Sequence, residues 1–376
     1  MKNTTDANND EIKEKISVQM AEDESFLRED VSILSPADIV AYNELRSCAD
    51  LYRMYESGNL NVRPHFQRDE VWSNSSKTRF IDSLIKGLPI PSMCFSLDYN
   101  TEKWQVIDGL QRMSTIIDFL GNKEWQLSVL EDIDQKISGK KVKEFQIPNT
   151  ELHKFFSRVQ NLTIPITVLR CDYTKENHTQ FLFTTFHRLN SEGMRLTNQE
   201  VRNCIYSGSF NNFLFECNKE TLWIRLNKIK PDKSYRFRYQ EITLRFFAFL
   251  EDCGIYDGHL SKFLNTYMNN HKKASDKEIG EKRAIFKRTI AIIYEKITES
   301  KGLPKISIAL LEALMVGIAS NIEHLEKTEK RDIQKYYENL KNDLNFSETN
   351  LRNDLSSKEK VSNRFSVAKK IFSAKS

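Results

Sequence analysis

The chain has 376 residues, of which 39% are hydrophobic and 29% charged, and its formal net charge is +4. This composition is typical of a soluble globular protein of two or three domains, and the low net charge excludes a polycation. The six cysteines include no CxxC pair, which favours reduced thiols over a zinc finger. The amino terminus lacks an apolar signal, and the most apolar stretch, 306–318, is too short to span a bilayer. We therefore expect a cytoplasmic protein with no membrane partner.

The two ends of the chain carry opposite charge. Residues 1–32 hold nine acidic and four basic residues, whereas residues 356–376 hold six basic residues and one acidic residue. Charge blocks of this kind are typical of solvated tails. We expect an acidic flexible tail over residues 1–34 and a charged, helical and basic tail over residues 326–376.

Two helices are predicted in the first quarter of the chain. Ser35 as a cap, with Pro36 at the first helical position, predicts a helix at the start of the folded part. A second, amphipathic helix is predicted to begin at a cap on Ser73 or Asn74 and to end at Gly87.

Strands are predicted at 92–99, 104–108 and 162–173, where the pattern of apolar residues is that of β-structure. Residues 121–160 are polar and predict an insertion of mixed structure. From residue 209 to about 325 the apolar spacing is helical almost throughout. The residues thus predict an α+β domain followed by an all-helical domain. The predicted boundaries of these domains are 35–208 and 209–325.

The stretch VIDGLQRMSTIIDFL, residues 106–120, predicts a buried strand, a glycine turn and an amphipathic helix. A helix amino terminus has unpaired N–H groups and about half a positive charge, and Gly109 just before it lets the backbone approach a ligand. Arg112 adds a forked donor that fits phosphate oxygens, and Gln111 and Ser114 add further polar groups. Residues 108–112, here named the elbow, are therefore a candidate anion site.

Asp108 leaves the interpretation of the elbow open. A carboxylate beside an anion is explained if it holds a metal ion, contacts a ribose or base, or pairs with Arg112. The alternative is an ordinary strand-to-helix turn in which Asp108 caps the helix and Gly109 supplies a positive φ. The sequence has no GxxxxGK[ST] phosphate loop.

Further motifs accompany the elbow in a fixed order, from about residue 34 to residue 270. They are FQRDEVW (66–72), LIKGLPIPSMCFS (84–96), FHRLNSEGMRLTNQEVRNCIYSG (186–208), EITLRFFAFL (241–250) and LSKFLNTYM (260–268). Together they resemble the N-terminal domain of GmrSD-type modification-dependent restriction endonucleases, whose hallmark is a DGQQR elbow on a ParB/sulfiredoxin-like fold. The sequence departs from this pattern at Leu110, where the family usually has glutamine, and this departure puts one ligand contact in doubt.

The resemblance implies a ParB/sulfiredoxin-like small mixed sheet with helices, and an NTPase that uses a nucleoside triphosphate with Mg²⁺. Carried over residue by residue, the catalytic positions are Asp108, Gln111 and Arg112. The implied nucleotide-binding positions are Gln67, Arg68, Gly109, Ser114, Arg188, Asn190, Gln199 and Arg202, with Glu200 beside them. Trp72 is expected nearby, either in the core or stacked on a base. Structural ion pairs are the alternative role for the charged members of this set.

The stretch RLNKIKPDKSYRFRYQEITLR, residues 225–245, holds seven basic residues, two acidic residues and three interleaved aromatic rings. Such a pattern predicts a nucleic-acid face, because basic side chains bind phosphates and rings stack on bases. The alternative is a helix-packing segment with buried rings and solvated charges. The candidate DNA-binding residues are Lys228, Lys230, Lys233, Arg236 and Arg238.

The predicted function is that of a nucleotide-binding, NTP-hydrolysing component of a restriction system that acts on modified foreign DNA in antiviral defence. Many relatives carry an HNH nuclease, but the seven histidines form no such cluster here, and no convincing PD-(D/E)xK set is present. The alternative is a non-catalytic, nucleotide-gated DNA-sensing subunit that recruits a separate HNH-type nuclease chain. A helical scaffold with an inactive pocket is a third interpretation. The expected partners are double-stranded DNA, that nuclease and a further copy of the chain.

Overall fold

The computed structural model describes residues 35–62, 72–189, 197–230, 237–347, 349–351 and 354–373. They form two compact units, which divide between Thr197 and Asn198. The first unit contains a five-stranded sheet with helices, and the second is helical. The prediction of an α+β domain followed by a helical one is therefore confirmed. The predicted boundary after residue 208 lies inside the second unit.

The sheet of the first unit is mixed. Its strands are β1 (Val40–Ser47), β2 (Leu60–Asn61), β3 (Met93–Asp98), β4 (Lys103–Asp108) and β5 (Thr163–Cys171), in the order β1-β5-β3-β4-β2. Strand β5 pairs antiparallel with β1 and parallel with β3, and β4 pairs antiparallel with β3 and parallel with β2. The strands predicted at 92–99, 104–108 and 162–173 are thus confirmed.

The helices of the first unit surround one apolar core. They are α1 (Cys48–Glu56), α2 (Asn74–Lys86), α3 (Leu110–Gly121), α4 (Val142–Phe145), α5 (Glu151–Asn161) and α6 (Glu176–Leu189). Helix α2 begins and ends as predicted, because the Ser73 side chain accepts from the N–H of Ser76 and Gly87 has a left-handed φ of 67°. Ile81 and Leu84 of α2 are fully buried, and each such side chain contributes about 1.5–3 kcal/mol of hydrophobic stabilisation.

The helix predicted from Ser35 is wrong in its first half. Residues 40–47 are strand β1, which pairs with β5 from Val40 opposite Arg170 to Ser47 opposite Thr163. The helix begins only at α1, where the Ser47 side chain accepts from the backbone N–H of Asp50 at 3.1 Å. Pairing with a distant strand outweighs the local cap signal here, since a whole ladder of backbone hydrogen bonds depends on it.

The polar segment 121–160 contributes to the core. It contains an isolated β-bridge, α4 and α5, so the prediction of mixed structure is confirmed. Phe145 of α4 is fully buried, and its ring meets that of Phe119 in α3 edge-on, with centroids 5.2 Å apart. The segment is therefore part of the packed unit rather than an appendage.

The second unit contains ten α-helices in its described part. They are α7 (Asn198–Ile205), α8 (Ser209–Lys219), α9 (Thr221–Leu226), α10 (Arg238–Asp252), α11 (Leu260–His271), α12 (Asp276–Ile292), α13 (Ile308–Ala319), α14 (Ile322–Lys327), α15 (Lys330–Lys341) and α16 (Lys358–Phe372). A π-helical segment, Ile293–Ile297, continues α12. No helix in the described ranges is both long and apolar enough to cross a membrane.

The expectation of a solvated basic end is wrong for helix α16. This helix packs along α13, and its Val361, Phe365 and Phe372 side chains are buried. The contact is close at Gly317 of α13, where an added Cβ would stand 2.8 Å from Phe372 Cδ2. The number of charged residues did not indicate this apolar stripe, which completes the core of the second unit.

Candidate functional site

The elbow turns the chain from β4 into α3 through Gly109. This residue has φ 92° and ψ 17°, a left-handed conformation that favours glycine. An added Cβ would also stand 2.5 Å from Met93 Cγ on the neighbouring strand β3. The turn and the contact with Met93 both require glycine, independently of any ligand.

Helix α3 begins without a side-chain cap. Gly109 occupies the cap position and the helix makes no side-chain cap hydrogen bond, whereas α2 and α5 are capped by Ser73 and Thr150. The alternative in which Asp108 caps this helix is therefore wrong. The first turn of α3 carries the partial positive charge of a helix amino terminus, which is suited to an anion.

Asp108 and Arg112 form an ion pair inside the elbow. Arg112 Nη2 donates to Asp108 Oδ2 at 2.8 Å. The Arg112 side chain is 14% exposed and the Asp108 side chain 35% exposed. Arg112 Nη1 also donates to the carbonyl oxygens of Pro91 and Ser92, which precede β3. Of the roles considered for Asp108, pairing with Arg112 is the one seen in the structure.

Gln111 links the elbow to the segment that precedes α2. Its Oε1 accepts from the backbone N–H of Trp72 at 3.1 Å. The Trp72 ring packs on the core and meets Phe80 of α2 edge-on, with centroids 5.4 Å apart. Core packing is therefore the observed role of this tryptophan. Farther along α3, Ser114 is half-buried.

A row of polar groups that the sequence did not reveal crosses the sheet beside the elbow. Ser92 Oγ lies 3.4 Å from Thr167 Oγ1 of β5, and Thr167 Oγ1 donates to Asn43 Oδ1 of β1 at 2.8 Å. Ser92 also accepts from Arg112 through its carbonyl oxygen. These residues lie on three separate segments, and only strand pairing brings them together.

Cys94 of β3 lies opposite Asp108 of β4 in the antiparallel pairing of these strands. Burial, and to a lesser degree the charge of Asp108, raises the pKa of Cys94 to about 12. The thiol is therefore protonated at neutral pH and is no nucleophile. Within the described ranges, no three histidine, cysteine, aspartate or glutamate side chains are grouped so that they could hold a metal ion.

The remaining predicted nucleotide contacts fall in several places. Arg188 is exposed at the end of α6, a helix that packs against β4 and so belongs to the same unit as the elbow. Gln67, Arg68 and Asn190 lie outside the described residues.

Gln199 and Arg202 lie on α7 in the second unit, and both are fully buried. Arg202 Nε donates to Asn265 Oδ1 at 2.9 Å, and Arg202 Nη1 lies 3.8 Å from Glu241 Oε2. Gln199 Nε2 donates to Asn203 Oδ1 at 3.0 Å. Glu200 is buried beside them. These side chains build a buried polar network between the helices of their own unit.

The predicted DNA-binding residues also lie in the second unit. Lys228 and Lys230 are exposed in the loop after α9, and Arg238 is half-buried at the start of α10. Lys233 and Arg236 lie outside the described residues.

Comparison with known proteins agrees with the resemblance seen in the sequence. Residues 48–207 match the family model described as GmrSD restriction endonuclease, N-terminal domain. No curated protein and no solved structure matches the chain significantly. The matched range covers the elbow, the sheet from β2 to β5 and helices α1 to α7. Residues 48–207 thus match the same family that the motifs of the sequence resemble.

Proposed function

We propose that the elbow binds a nucleoside triphosphate with Mg²⁺ and hydrolyses it as part of a restriction system that acts on modified foreign DNA. The match to a GmrSD N-terminal domain supports a component of a restriction or defence system. The observation that carries the nucleotide part is the uncapped first turn of α3 beside Arg112. An N-terminal turn without a side-chain cap, next to a guanidinium fork, is suited to phosphate oxygens.

The Asp108–Arg112 pair fits a phosphate together with its cation. A carboxylate has about four lone-pair sites, so Asp108 can bind a cation while Oδ2 still accepts from Arg112. Mg²⁺ commonly uses one or two carboxylates together with substrate phosphates, and one partly exposed aspartate meets that need. The ion would neutralise phosphate charge. Arg112 would contact the phosphate, and Gln111 would hold the elbow against Trp72.

Gln199 and Arg202 receive a structural role in this proposal. Their buried contacts with Asn203, Asn265 and Glu241 tie the helices of the second unit together. Arg188 is kept as a nucleotide contact, because it is exposed in the same unit as the elbow.

The test is binding and hydrolysis of ATP, GTP, CTP and UTP with Mg²⁺, by calorimetry and by phosphate release, with and without duplex DNA. We expect Arg112→Ala to abolish binding, and Asp108→Asn to remove its dependence on Mg²⁺. Arg79→Ala is the matched control, because that arginine makes an exposed ion pair with Asp132 in the same unit. Thermal melting of each variant separates loss of binding from loss of folding.

The outcomes separate the two functions considered. Turnover that both elbow variants lose supports an NTPase. Binding without turnover, lost in Arg112→Ala, supports instead a nucleotide-gated DNA-sensing subunit that recruits a separate HNH-type nuclease. Binding of no nucleotide by the wild-type protein, or equal binding by wild type and Arg112→Ala, would contradict the proposed site.

A further inference from the structure

Four residues in register form one row across the sheet of the first unit. Cys94 of β3 lies opposite Asp108 of β4 and opposite Thr167 of β5, and Thr167 lies opposite Asn43 of β1. Residues that oppose each other in neighbouring strands place their side chains on the same face of a sheet. Because neighbouring strands are about 4.8 Å apart, this row, here named the cross-sheet row, is roughly 14 Å long. It begins at the elbow and ends at the edge strand β1.

Polar contacts connect the elbow to the far end of the cross-sheet row. Arg112 Nη1 donates to the carbonyl oxygen of Ser92 at 3.4 Å, and Ser92 Oγ lies 3.4 Å from Thr167 Oγ1. Thr167 Oγ1 in turn donates to Asn43 Oδ1 at 2.8 Å. Ser92 and Asn43 are exposed and Thr167 is half-buried. A continuous series of polar groups, accessible to a ligand, therefore leads from the guanidinium to β1.

The amide of Asn43 has donors to spare. Its Oδ1 accepts from Thr167, which fixes the orientation of the amide. Among the residues that the structure describes, Asn43 Nδ2 has no hydrogen-bond partner, so both of its N–H donors can bind a ligand. By contrast, the amide nitrogens of Asn74 and Asn100 in the same unit donate to protein oxygen atoms.

Apolar side chains border the far end of the row on the same face. Leu45 and Pro165 oppose each other two residues along β1 and β5 on one side, and Ala41 and Leu169 do so on the other side. Leu45 is 69% exposed, and Pro165 is half-buried. Small-molecule sites combine apolar contact area with a few placed polar groups. An amide donor beside an exposed leucine suits a flat ring that has a polar edge and an apolar face.

The charge of these groups changes along the row in the order in which a nucleotide changes. The ion pair of Asp108 and Arg112 lies at the elbow, whereas Ser92, Thr167 and Asn43 are uncharged. A nucleoside triphosphate likewise has its charge in the phosphates, then a sugar with hydroxyl groups, then a base with a polar edge. Serine and threonine hydroxyls can both donate to and accept from ribose hydroxyls.

We propose that the cross-sheet row holds the ribose and the base of the nucleotide whose phosphates bind at the elbow. The Ser92 and Thr167 hydroxyls contact the ribose, Asn43 Nδ2 donates to an acceptor on the base, and Leu45 packs on the face of the base. This inference deepens the proposed function and rests on it. Asn43 lies outside residues 48–207, so the family match does not include it.

The test compares the full wild-type chain with two variants that each remove one exposed amide. Asn43→Ala alters the far end of the row. Asn161→Ala is the matched control, because this exposed amide of α5 also makes one hydrogen bond in the same unit, from Nδ2 to the carbonyl oxygen of Ser157 at 2.8 Å. Calorimetry measures the affinity for ATP, GTP, CTP, UTP and inorganic triphosphate with Mg²⁺. Thermal melting shows whether each variant is folded.

Inorganic triphosphate has no ribose and no base, so its binding reports on the elbow alone. We expect Asn43→Ala to weaken binding of the preferred nucleotide by about 2- to 10-fold, which corresponds to one neutral hydrogen bond, and to leave binding of inorganic triphosphate unchanged. Asn161→Ala should bind both ligands as wild type does. Unchanged nucleotide affinity in Asn43→Ala, an equal loss for both ligands, or equal effects of the two variants would overturn the inference and leave the elbow site in place. Wild-type protein that binds no nucleotide would contradict the proposed function as well.

A second measurement requires no variant. The preferred nucleotide, with a photoreactive azide on its base, is irradiated in complex with the wild-type protein, and mass spectrometry identifies the labelled peptide. We expect the label in β1 or β5, because Asn43 and Leu45 lie on β1 and Thr167 lies on β5. A label confined to other segments would overturn the inference.

Discussion

Arg112 donates to Asp108 at 2.8 Å and thereby joins the first turn of α3 to the last residue of β4. The same guanidinium donates to the carbonyl oxygens of Pro91 and Ser92. One side chain therefore holds three pieces of backbone together: the end of β4, the start of α3 and the approach to β3. The guanidinium thereby stabilises the shape of the elbow.

The first prediction concerns this arginine. Arg112→Ala leaves Asp108 and two carbonyl groups without their donor, so we expect the free energy of unfolding to fall by about 1–3 kcal/mol. Arg112→Lys keeps the charge but lacks the fork, and should recover only part of the loss. Urea denaturation measures both. Arg79→Ala should change nothing measurable, because that ion pair is exposed. An Arg112→Ala denaturation midpoint equal to that of wild type would contradict the stabilising role of this guanidinium.

The second prediction separates the two reasons for glycine at the elbow. Gly58 has φ 68° with nothing within 4 Å of an added Cβ, so Gly58→Ala should cost only the left-handed conformation, about 1–2 kcal/mol. Gly109→Ala should cost about 1–3 kcal/mol more, because its Cβ would also collide with Met93. Denaturation midpoints of both variants give the difference. Equal losses of stability in the two variants would show that the Met93 side chain moves away from the new Cβ without an energetic cost.

The third prediction uses two helical glycines whose replacement should have opposite effects. Alanine favours a helix over glycine by about 1 kcal/mol, so Gly280→Ala, which meets nothing within 4 Å, should stabilise the second unit. Gly317→Ala should destabilise it by about 1–3 kcal/mol, because the new Cβ would stand 2.8 Å from Phe372 Cδ2. Thermal unfolding measures both. Stabilisation by both substitutions would contradict the packing of α16 on α13.

The fourth prediction concerns acid stability. Lys175 and His178 donate to Asp38 and lower its pKa to about 2. Because the folded-state pKa lies below the usual value near 3.8, the stabilisation is present above pH 3.8 and is lost as the pH falls toward about 2. Asp38→Asn should therefore be less stable than wild type near neutral pH, and the difference should shrink over that window. Urea denaturation midpoints of both proteins, measured between pH 3.8 and about 2, give this difference in stability. A difference that stays constant with pH would contradict the lowered pKa of Asp38.

The sequence predicted the local features well and the non-local ones poorly. Caps and stops such as Ser73 and Gly87 are decided by neighbouring residues, so their positions were correct. The residues after Ser35 predict a helix from local signals alone, because the partner strand that makes 40–47 a strand lies far along the chain. In α16, Val361 and Phe365 share a helical face, but the six basic residues of segment 356–376 favour the interpretation as a solvated tail.

The candidate site shows the same division. The elbow was located from its own residues, since a strand, a glycine and a helix start are visible in order. The contacts of the elbow could not be predicted in this way. Met93 contacts Gly109 from the neighbouring strand, and Thr167 lies beside Ser92 only because β5 pairs with β3. Patterns of residue type identify a turn, but they do not identify which side chains converge on it.

The pairing of β1 with β5 has a consequence for synthesis on the ribosome. Residues 48–162 are made between the two strands, so β1 leaves the exit tunnel long before its partner exists. During that interval it is an unpaired edge that carries Val40, Tyr42 and Leu45, side chains that stay exposed even in the finished fold. The nascent chain must therefore keep this strand from pairing with other chains until β5 emerges.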